Sequence, residues 1–115
     1  RALPVLPLHL PLPSDPRLRA VCERLIEAPD DGRTVDAWAA GAGMSARTLH
    51  RLFQQQTGMR FGYWRQQVRL LAALERLARG DKVVDVALDH GYQSQSAFAA
   101  MFRRHFGMPP TLFYR

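Results

Sequence analysis

Apolar residues recur along the chain at the spacing of an α-helix, and no stretch alternates apolar and polar residues as a half-buried strand does. Prolines, glycines and capping residues divide this pattern into six predicted helices and a short last turn. The predicted helices cover approximately residues 16–28, 35–42, 46–58, 61–79, 83–89 and 95–106, and the last turn runs from Thr111 to Tyr114. We therefore expect an all-α fold of about seven helices.

Three of the predicted helices carry an apolar stripe that we expect to face the core. The stripe residues are Leu18, Val21, Leu25 and Ile26 in the first helix, Leu49, Leu52 and Phe53 in the third, and Trp64, Val68, Leu71, Leu74 and Leu77 in the fourth. The fourth helix is the longest, and its roughly 19 residues would span about 28 Å. His105 lies on the inner stripe of the sixth helix, where we interpret it as a core or boundary residue.

Residues 1–13 differ from the rest of the chain because they are rich in leucine and proline. Four prolines interrupt the apolar run, so it cannot form the unbroken helix of a signal peptide or a membrane span. We interpret this stretch as a linker from an N-terminal domain outside this sequence, and residues 14–115 as one small domain. The single cysteine, Cys22, excludes an internal disulfide and favours a reducing, cytoplasmic setting.

Positive charge is concentrated in the second part of the chain. The net charge is +6, from 16 Lys and Arg against 10 Asp and Glu. Residues 1–33 contribute none of it because they contain five arginines and five acids. Two stretches, 37–74 and 90–115, contain no acid. Such zones suit a surface that approaches a polyanion, since a carboxylate would repel phosphate. Arginines on ordinary solvated helix faces are the alternative interpretation.

One helical hairpin pattern occurs twice in the chain. Trp38, Ala39, Gly43 and Met44 recur at an offset of 48 as Val86, Ala87, Gly91 and Tyr92. Beyond the turn the offset becomes 49, and the matched pairs are Ser45 and Ser94, Leu49 and Phe98, Phe53 and Phe102, Gly58 and Gly107, and Met59 and Met108. In each copy an alanine lets two helices cross closely, a glycine can take the positive φ of the turn, and an apolar residue pins the second helix. The pattern favours two helix-turn-helix units over two purely structural helical hairpins.

The second copy also carries the sequence pattern of a known family. The segments are Val84-Asp85-Val86-Ala87, Gly91 to Phe98, Phe102 to Gly107, and Pro109-Pro110. With them the chain resembles the AraC/XylS family of transcription regulators over about Asp15 to Tyr114. The resemblance implies a C-terminal DNA-binding domain, in which a linker helix (about 61–79) joins a first helix-turn-helix (about 34–58) to a second one (about 83–107).

The second helix of each unit would read DNA with its outward face. Arginine can pair with guanine and glutamine with adenine in the major groove, and short side chains can touch thymine methyls. The residues that we expect to contact bases are Arg47, His50, Arg51, Gln54, Gln95, Ser96, Ala99 and Ala100. Those that we expect to contact phosphates are Ser45, Thr48, Arg65, Arg69, Ser94, Arg103 and Arg104. The resemblance implies base contacts at Arg47, His50 and Arg51, and a solvated helix face is the alternative for each residue.

The length of the linker helix suggests how one chain could fill two grooves. About 28 Å is close to the ~34 Å between successive major grooves on one side of the duplex, so both recognition helices could meet one DNA face. We expect double-stranded DNA as the partner of a monomeric fragment, without a metal or a cofactor. RNA polymerase, and a small effector bound through the missing N-terminal domain, are further expected partners.

Other functions fit the residues less well. No catalytic or metal-binding constellation is visible, so we expect no enzymatic activity. A helical protein-interaction module is the main alternative, and the salt dependence of binding distinguishes it from a DNA-binding domain. RNA binding is less favoured because the outward helix faces lack the aromatic residues that stack on unpaired bases.

Overall fold

The computed structural model of the chain describes residues 10–108, which form six α-helices and no strand. The helices are α1 (Pro16–Glu27), α2 (Val35–Gly41), α3 (Ala46–Thr57), α4 (Phe61–Ala78), α5 (Val83–Asp89) and α6 (Gln95–Phe106). The predicted all-α class is confirmed, and each of these helices begins and ends within about one residue of its expected bounds. The predicted turn from Thr111 to Tyr114 lies outside the described residues. None of the six helices is long and apolar enough to cross a membrane.

Capping side chains mark the start of four of these helices, and glycines mark the end of two. A side-chain oxygen at the N-cap accepts a hydrogen bond from a backbone amide of the first turn, which otherwise has no partner within the helix. The residues that do so are Asp15, Thr34, Ser45 and Ser94. At the other end, Gly58 stops α3 and Gly107 stops α6 in the left-handed conformation, each with a φ of 74°.

The two predicted helix-turn-helix units have the same turn geometry. Gly43 between α2 and α3 has a φ of 72°, and Gly91 between α5 and α6 has a φ of 85°, as the duplicated pattern predicts. In the first turn the amide of Met44 donates to the carbonyl of Ala39 at 3.0 Å. The amide of Tyr92 makes the matching bond to Ala87, also at 3.0 Å. The repeat in the sequence is therefore a repeat of backbone structure.

The first of two compact units comprises residues 10–68 of the described chain, in which α2 packs against α3. Its core is formed by buried side chains of α1 to α4, namely Leu18, Val21, Cys22, Leu25, Trp38, Ala39, Leu49, Phe53, Phe61, Trp64 and Val68. The phenyl ring of Phe53 meets Phe61 and Trp64 edge to face. One expectation was wrong, because Ile26 is 45% exposed. It lies at the margin of the stripe of α1, and Cys22 takes the buried place instead.

The second unit comprises residues 69–108, and in it α5 packs against α6. Its buried residues are Leu70, Ala73, Leu77, Val83, Val86, Ala87, Phe98, Met101 and Phe102. An arginine holds both ends of α5. The guanidinium of Arg76 donates to Asp81, which precedes α5, at 2.9 Å and to Asp89, the last residue of α5, at 2.8 Å. These two bonds hold α5 against the end of α4.

Helix α4 continues from one unit into the other, and its buried positions differ from the predicted stripe. Its first half buries Phe61, Trp64 and Val68 in the first core, as expected for the latter two. Its second half buries Leu70, Ala73 and Leu77, whereas Leu71 and Leu74 are only partly buried. A single stripe along the whole helix was therefore wrong, because each half packs against its own set of neighbours.

The described segment before α1 is part of the first unit and contacts its helices. The side chain of Pro13 is fully buried, and the indole Nε1 of Trp64 donates to the carbonyl of Pro11 at 2.9 Å. The Oε1 atom of Gln56 accepts from the amides of Ser14 and Asp15 at 3.0 and 2.9 Å. The segment before α1 is thus tied to α4 through Pro11 and to α3 through Ser14 and Asp15. Residues 1–9 of the predicted linker lie outside the described range, and the domain boundary at residue 14 stays a prediction.

Candidate nucleic-acid interface

The third helix presents a polar outward face above a buried inner one. Leu49 and Phe53 are completely buried and fix the rotation of α3 about its axis. As a result, the four residues of α3 that were predicted to contact bases lie together on the opposite, exposed side, and they are Arg47, His50, Arg51 and Gln54. Neither α3 nor the part of α2 after Asp36 contains an acid. This face can donate hydrogen bonds and positive charge without a competing carboxylate on the same helix.

The start of α3 uses its hydroxyl groups for the structure of the helix. The Oγ of Ser45 accepts from the amide of Thr48 at 3.1 Å and donates to the Oγ1 of Thr48 at 3.0 Å. Ser45 is exposed and Thr48 is partly buried. Both residues were predicted to contact phosphates. Because the Ser45 proton is already used, Thr48 is the one of the pair whose hydroxyl still has a proton to donate.

The sixth helix has a different outward face, formed largely by small side chains. Phe98 and Phe102 are completely buried and Met101 nearly so, which turns the remaining residues outward. The predicted contact residues of this helix are all exposed except Ala99, which is partly buried, and they are Gln95, Ser96, Ala99, Ala100, Arg103 and Arg104. Five of them, all but Gln95, line a shallow groove of about 510 Å³. The Oγ of Ser94 caps the helix by accepting from the amide of Ala97 at 3.1 Å.

The two arginines of α4 that were predicted to contact phosphate are both partly buried. The Nη2 of Arg65 donates to the carbonyl of Asp31 at 3.0 Å, and its guanidinium carbon lies 5.9 Å from the ring centroid of Phe61. Arg65 therefore joins α4 to the loop between α1 and α2, a role that the sequence analysis missed. Arg69 also makes an interaction within the protein. The bond of Arg65 to the carbonyl of Asp31 is a structural role in addition to the predicted phosphate contact.

None of the ion pairs among residues 10–108 involves a residue of α3 or α6. They join Arg17 to Asp15, Arg33 to Asp31, and Arg76 and Arg79 to acids of the second unit. In these pairs the neighbouring guanidinium lowers the pKa of the carboxyl group of Asp15, Asp31 and Asp81. By contrast, no described acid pairs with Arg47, Arg51, Arg103 or Arg104. The positive charge of these four arginines is therefore not paired with any described acid.

The remaining candidates for chemistry are buried or isolated. Burial raises the pKa of the Cys22 thiol to about 12, so the thiolate that would act as a nucleophile is scarce. Burial also lowers the pKa of His105, and the charge of Arg104 adds to the effect. Within residues 10–108 no group of three or more His, Cys, Asp or Glu side chains is arranged to hold a metal ion. The acid-free outward faces of α3 and α6 are therefore the main candidate site.

One part of the surface beside α3 was not predicted from the sequence. Arg60, Gly62 and Tyr63, at the start of α4, line a groove together with His50 and Gln54. The only signal in the sequence was that Arg60 belongs to the acid-free stretch 37–74 and that Gly62 stands near the start of a long helix. Neither signal indicates which residues of α3 the groove contains.

Comparison with known proteins places these features in context. A family model described as a helix-turn-helix domain matches residues 38–115. The HTH-type transcriptional regulator NimR of Escherichia coli (strain K12) is 41% identical over 103 residues, which are 90% of this chain and 38% of that protein. The regulatory protein SoxS of Salmonella typhimurium is 35% identical over 95 residues, which are 82% of this chain and 89% of SoxS. The chain thus spans little more than a third of NimR but most of SoxS.

Solved structures agree with the sequence relatives. A transcriptional regulator from Chromobacterium violaceum, described as AraC-type DNA-binding domain-containing, has a TM-score of 0.77 and 27% identity, over 86% of this chain and 89% of that chain. The DNA-binding domain of AdpA, solved in complex with a target DNA, has a TM-score of 0.74 and 34% identity, over 87% of this chain and 90% of that chain. The sequence relatives and the solved structures therefore indicate the same family.

Proposed function

This chain belongs to the AraC/XylS family of transcription regulators, and we propose that it binds double-stranded DNA sequence-specifically to regulate transcription. The observation that carries the proposal is that two helices, α3 and α6, each have a buried inner face and an acid-free outer face. The match to a domain solved with its target DNA supports the same conclusion. We assign the protein to the bacterial cytoplasm because its target lies there.

In α3 the bases are read by long side chains. Arg47 and Arg51 are exposed and have no acid partner, so each guanidinium can pair with the O6 and N7 of a guanine. Gln54 can make the equivalent pair of bonds to adenine, and His50 lies between them on the same face. Each well-formed pair of bonds would contribute about 1–3 kcal/mol of discrimination against the wrong base. This helix carries most of the sequence preference.

In α6 the contacts are of two kinds. The groove formed by Ser96, Ala99 and Ala100 lets the helix backbone approach the bases closely, and the alanine methyl groups can pack on thymine methyls. Gln95, at the first turn, can reach a base edge. Arg103 and Arg104, which line the same groove from the last turns of α6, hold phosphates and contribute affinity that does not depend on sequence.

The other predicted phosphate contacts are ranked by the hydrogen bonds that each side chain already makes within the protein. Thr48 and Ser94 stand at the helix starts, where a phosphate can also accept from backbone amides. Ser45 ranks below Thr48 because its proton already bonds Thr48. Arg65 and Arg69 rank last, since both make interactions within the protein. Arg65 uses one N–H of its guanidinium to bond the carbonyl of Asp31, which holds the side chain toward the loop between α1 and α2.

The proposal extends to how the protein acts in the cell. The two recognition helices enter successive major grooves, which predicts a protected site of about two helical turns for one monomer. RNA polymerase is the proposed partner at the promoter. We also propose an upstream domain that binds a small effector and is joined to this domain by residues 1–13. The greater length of relatives such as NimR supports this proposal.

Selection of bound sites from random duplex DNA tests the proposal most directly. We expect one asymmetric site of about two turns, and an affinity that falls steeply as salt is raised because several phosphates release counterions. Absence of any preferred site, together with binding that is insensitive to salt, would refute the proposal and favour a protein-interaction module.

Three arginine variants then separate the assigned roles. Arg51→Ala should relax the preference at one base position, at a cost of about 1–3 kcal/mol for the preferred site. Arg103→Ala should weaken all sequences alike and reduce the salt slope by about 1. Arg24→Ala is the matched control, because this arginine is exposed on α1 and lies outside the interface. If Arg51→Ala leaves the selected site unchanged, the assignment of Arg51 as a base-reading residue is wrong.

A further inference from the structure

A groove lies beside the outward face of α3, within the first unit. It has a volume of about 540 Å³ and is lined by His50 and Gln54 of α3 and by Arg60, Gly62 and Tyr63 at the start of α4. Building on the proposed function, we propose that this groove holds one phosphate of the DNA backbone, paired with Arg60 and seated against the backbone at Gly62. This contact was not among those predicted from the sequence.

The charge of the groove suits an anion. Arg60 is exposed, and no acid among residues 10–108 forms an ion pair with it. The stretch 37–74, which supplies every residue of the groove, contains no Asp or Glu. The guanidinium therefore keeps its full charge toward a ligand. A backbone phosphate is the anion that the proposed function brings to this place, because the groove adjoins two of the base-reading residues.

Gly62 is the less obvious part of the site. It is the second residue of α4 and has no positive φ, so its backbone does not require glycine. A Cβ atom built at this position would meet nothing within 4 Å, so the packing of the protein does not require glycine either. Glycine is nevertheless one of the poorest helix formers. A surface without a side chain becomes useful when a ligand must approach the backbone closely.

A phosphate bound in this groove would position helix α3 on the DNA. Contacts to phosphates set the depth and register of a recognition helix, whereas contacts to bases set the sequence. His50 and Gln54 of α3 line the same groove as the first turn of α4. A phosphate held there would fix α3 along the major groove, so its loss should weaken every sequence and leave the order of preference unchanged.

Two substitutions in the full 115-residue chain test this, and a third is the control. Gly62→Ala should not lower Tm, because the space around this position is open and alanine is the better helix former. It should nevertheless lower the affinity for the selected duplex and for mismatched duplexes alike by roughly three- to tenfold. Arg60→Ala should lower affinity by a similar factor and reduce the salt slope by about 1. Gly41→Ala changes another helical glycine with open space around it, at the end of α2 and outside the groove. Its affinity should equal that of the unchanged protein.

The outcomes separate this inference from the function on which it rests. If the unchanged protein binds duplex DNA with a steep salt dependence while Gly62→Ala and Arg60→Ala bind equally well, the phosphate groove is overturned and the proposed function stands. If Gly62→Ala weakens binding only as much as Gly41→Ala does, the groove is likewise overturned. If the unchanged protein shows no salt-dependent binding to any duplex, the proposed function fails, and this inference fails with it.

Discussion

Leu25 and Ile26 are neighbours in α1 and provide a matched test of how that helix packs. Leu25 is 2% exposed and belongs to the core of the first unit, whereas Ile26 is 45% exposed. Both side chains have the same composition, and the apolar pattern of the sequence assigns both to the core. Replacing each one by alanine removes the same three carbon atoms. Any difference in stability therefore reports the environment of each residue in the fold.

The expected costs follow from that environment. Leu25→Ala loses the transfer free energy of the buried carbons and leaves a cavity, so the free energy of unfolding should fall by about 2–5 kcal/mol. Ile26→Ala creates no cavity, and about half of its side chain already contacts water. At ~0.8 kcal/mol per buried methylene the loss is about 1 kcal/mol, and the better helix propensity of alanine returns about 0.4 kcal/mol. A net cost below about 1 kcal/mol remains.

Urea unfolding followed by far-ultraviolet circular dichroism measures both values. A domain of this size has a total stability of roughly 5–15 kcal/mol, so Leu25→Ala should shift the midpoint strongly. Ile26→Ala should shift it little, with the same slope m. Equal losses for the two variants, or a larger loss for Ile26→Ala, would mean that α1 docks through the stripe expected from the sequence and that its orientation described above is wrong.

Three further predictions test the turn, an ion pair and the buried thiol. Gly91→Ala should cost about 1–2 kcal/mol of unfolding free energy, measured by urea titration, because its φ of 85° strains any residue with a Cβ although the space around it is open. The pKa of Asp81 is lowered by Arg76 from 3.8, so this ion pair stabilises the fold above about pH 4 and the contribution is lost as pH falls through the folded pKa. The difference in Tm between the unchanged protein and Asp81→Asn should accordingly narrow between pH 7 and pH 3, and a constant difference would contradict this. Cys22 should react with a thiol reagent at neutral pH only after urea unfolds the chain, since burial raises its pKa to about 12, and rapid labelling of the folded protein would contradict its burial.

The residues of the candidate interface could be predicted from the sequence to the extent that the geometry of one helix decides them. Once Leu49 and Phe53 are assigned to the core, the periodicity of α3 turns Arg47, His50 and Arg51 outward, and the structure exposes all three. What these residues contact stays a prediction. Arg65 shows where this reasoning fails, because its bond to the carbonyl of Asp31 joins residues 34 positions apart. No helical period contains information about that neighbour.

The sequence by itself determined the helices, their ends and the duplicated hairpin. These depend on interactions within a few residues, such as Ser45 accepting from the amide of Thr48 or Gly43 adopting a φ of 72°, and such interactions are written in the local sequence. Only the tertiary structure decided that Ile26 is exposed and that Gln56 binds the amides before α1. It also decided that two residues of α3 share a groove with the start of α4. Burial and long-range contacts depend on which helices meet, and that is set by the packing of the whole unit.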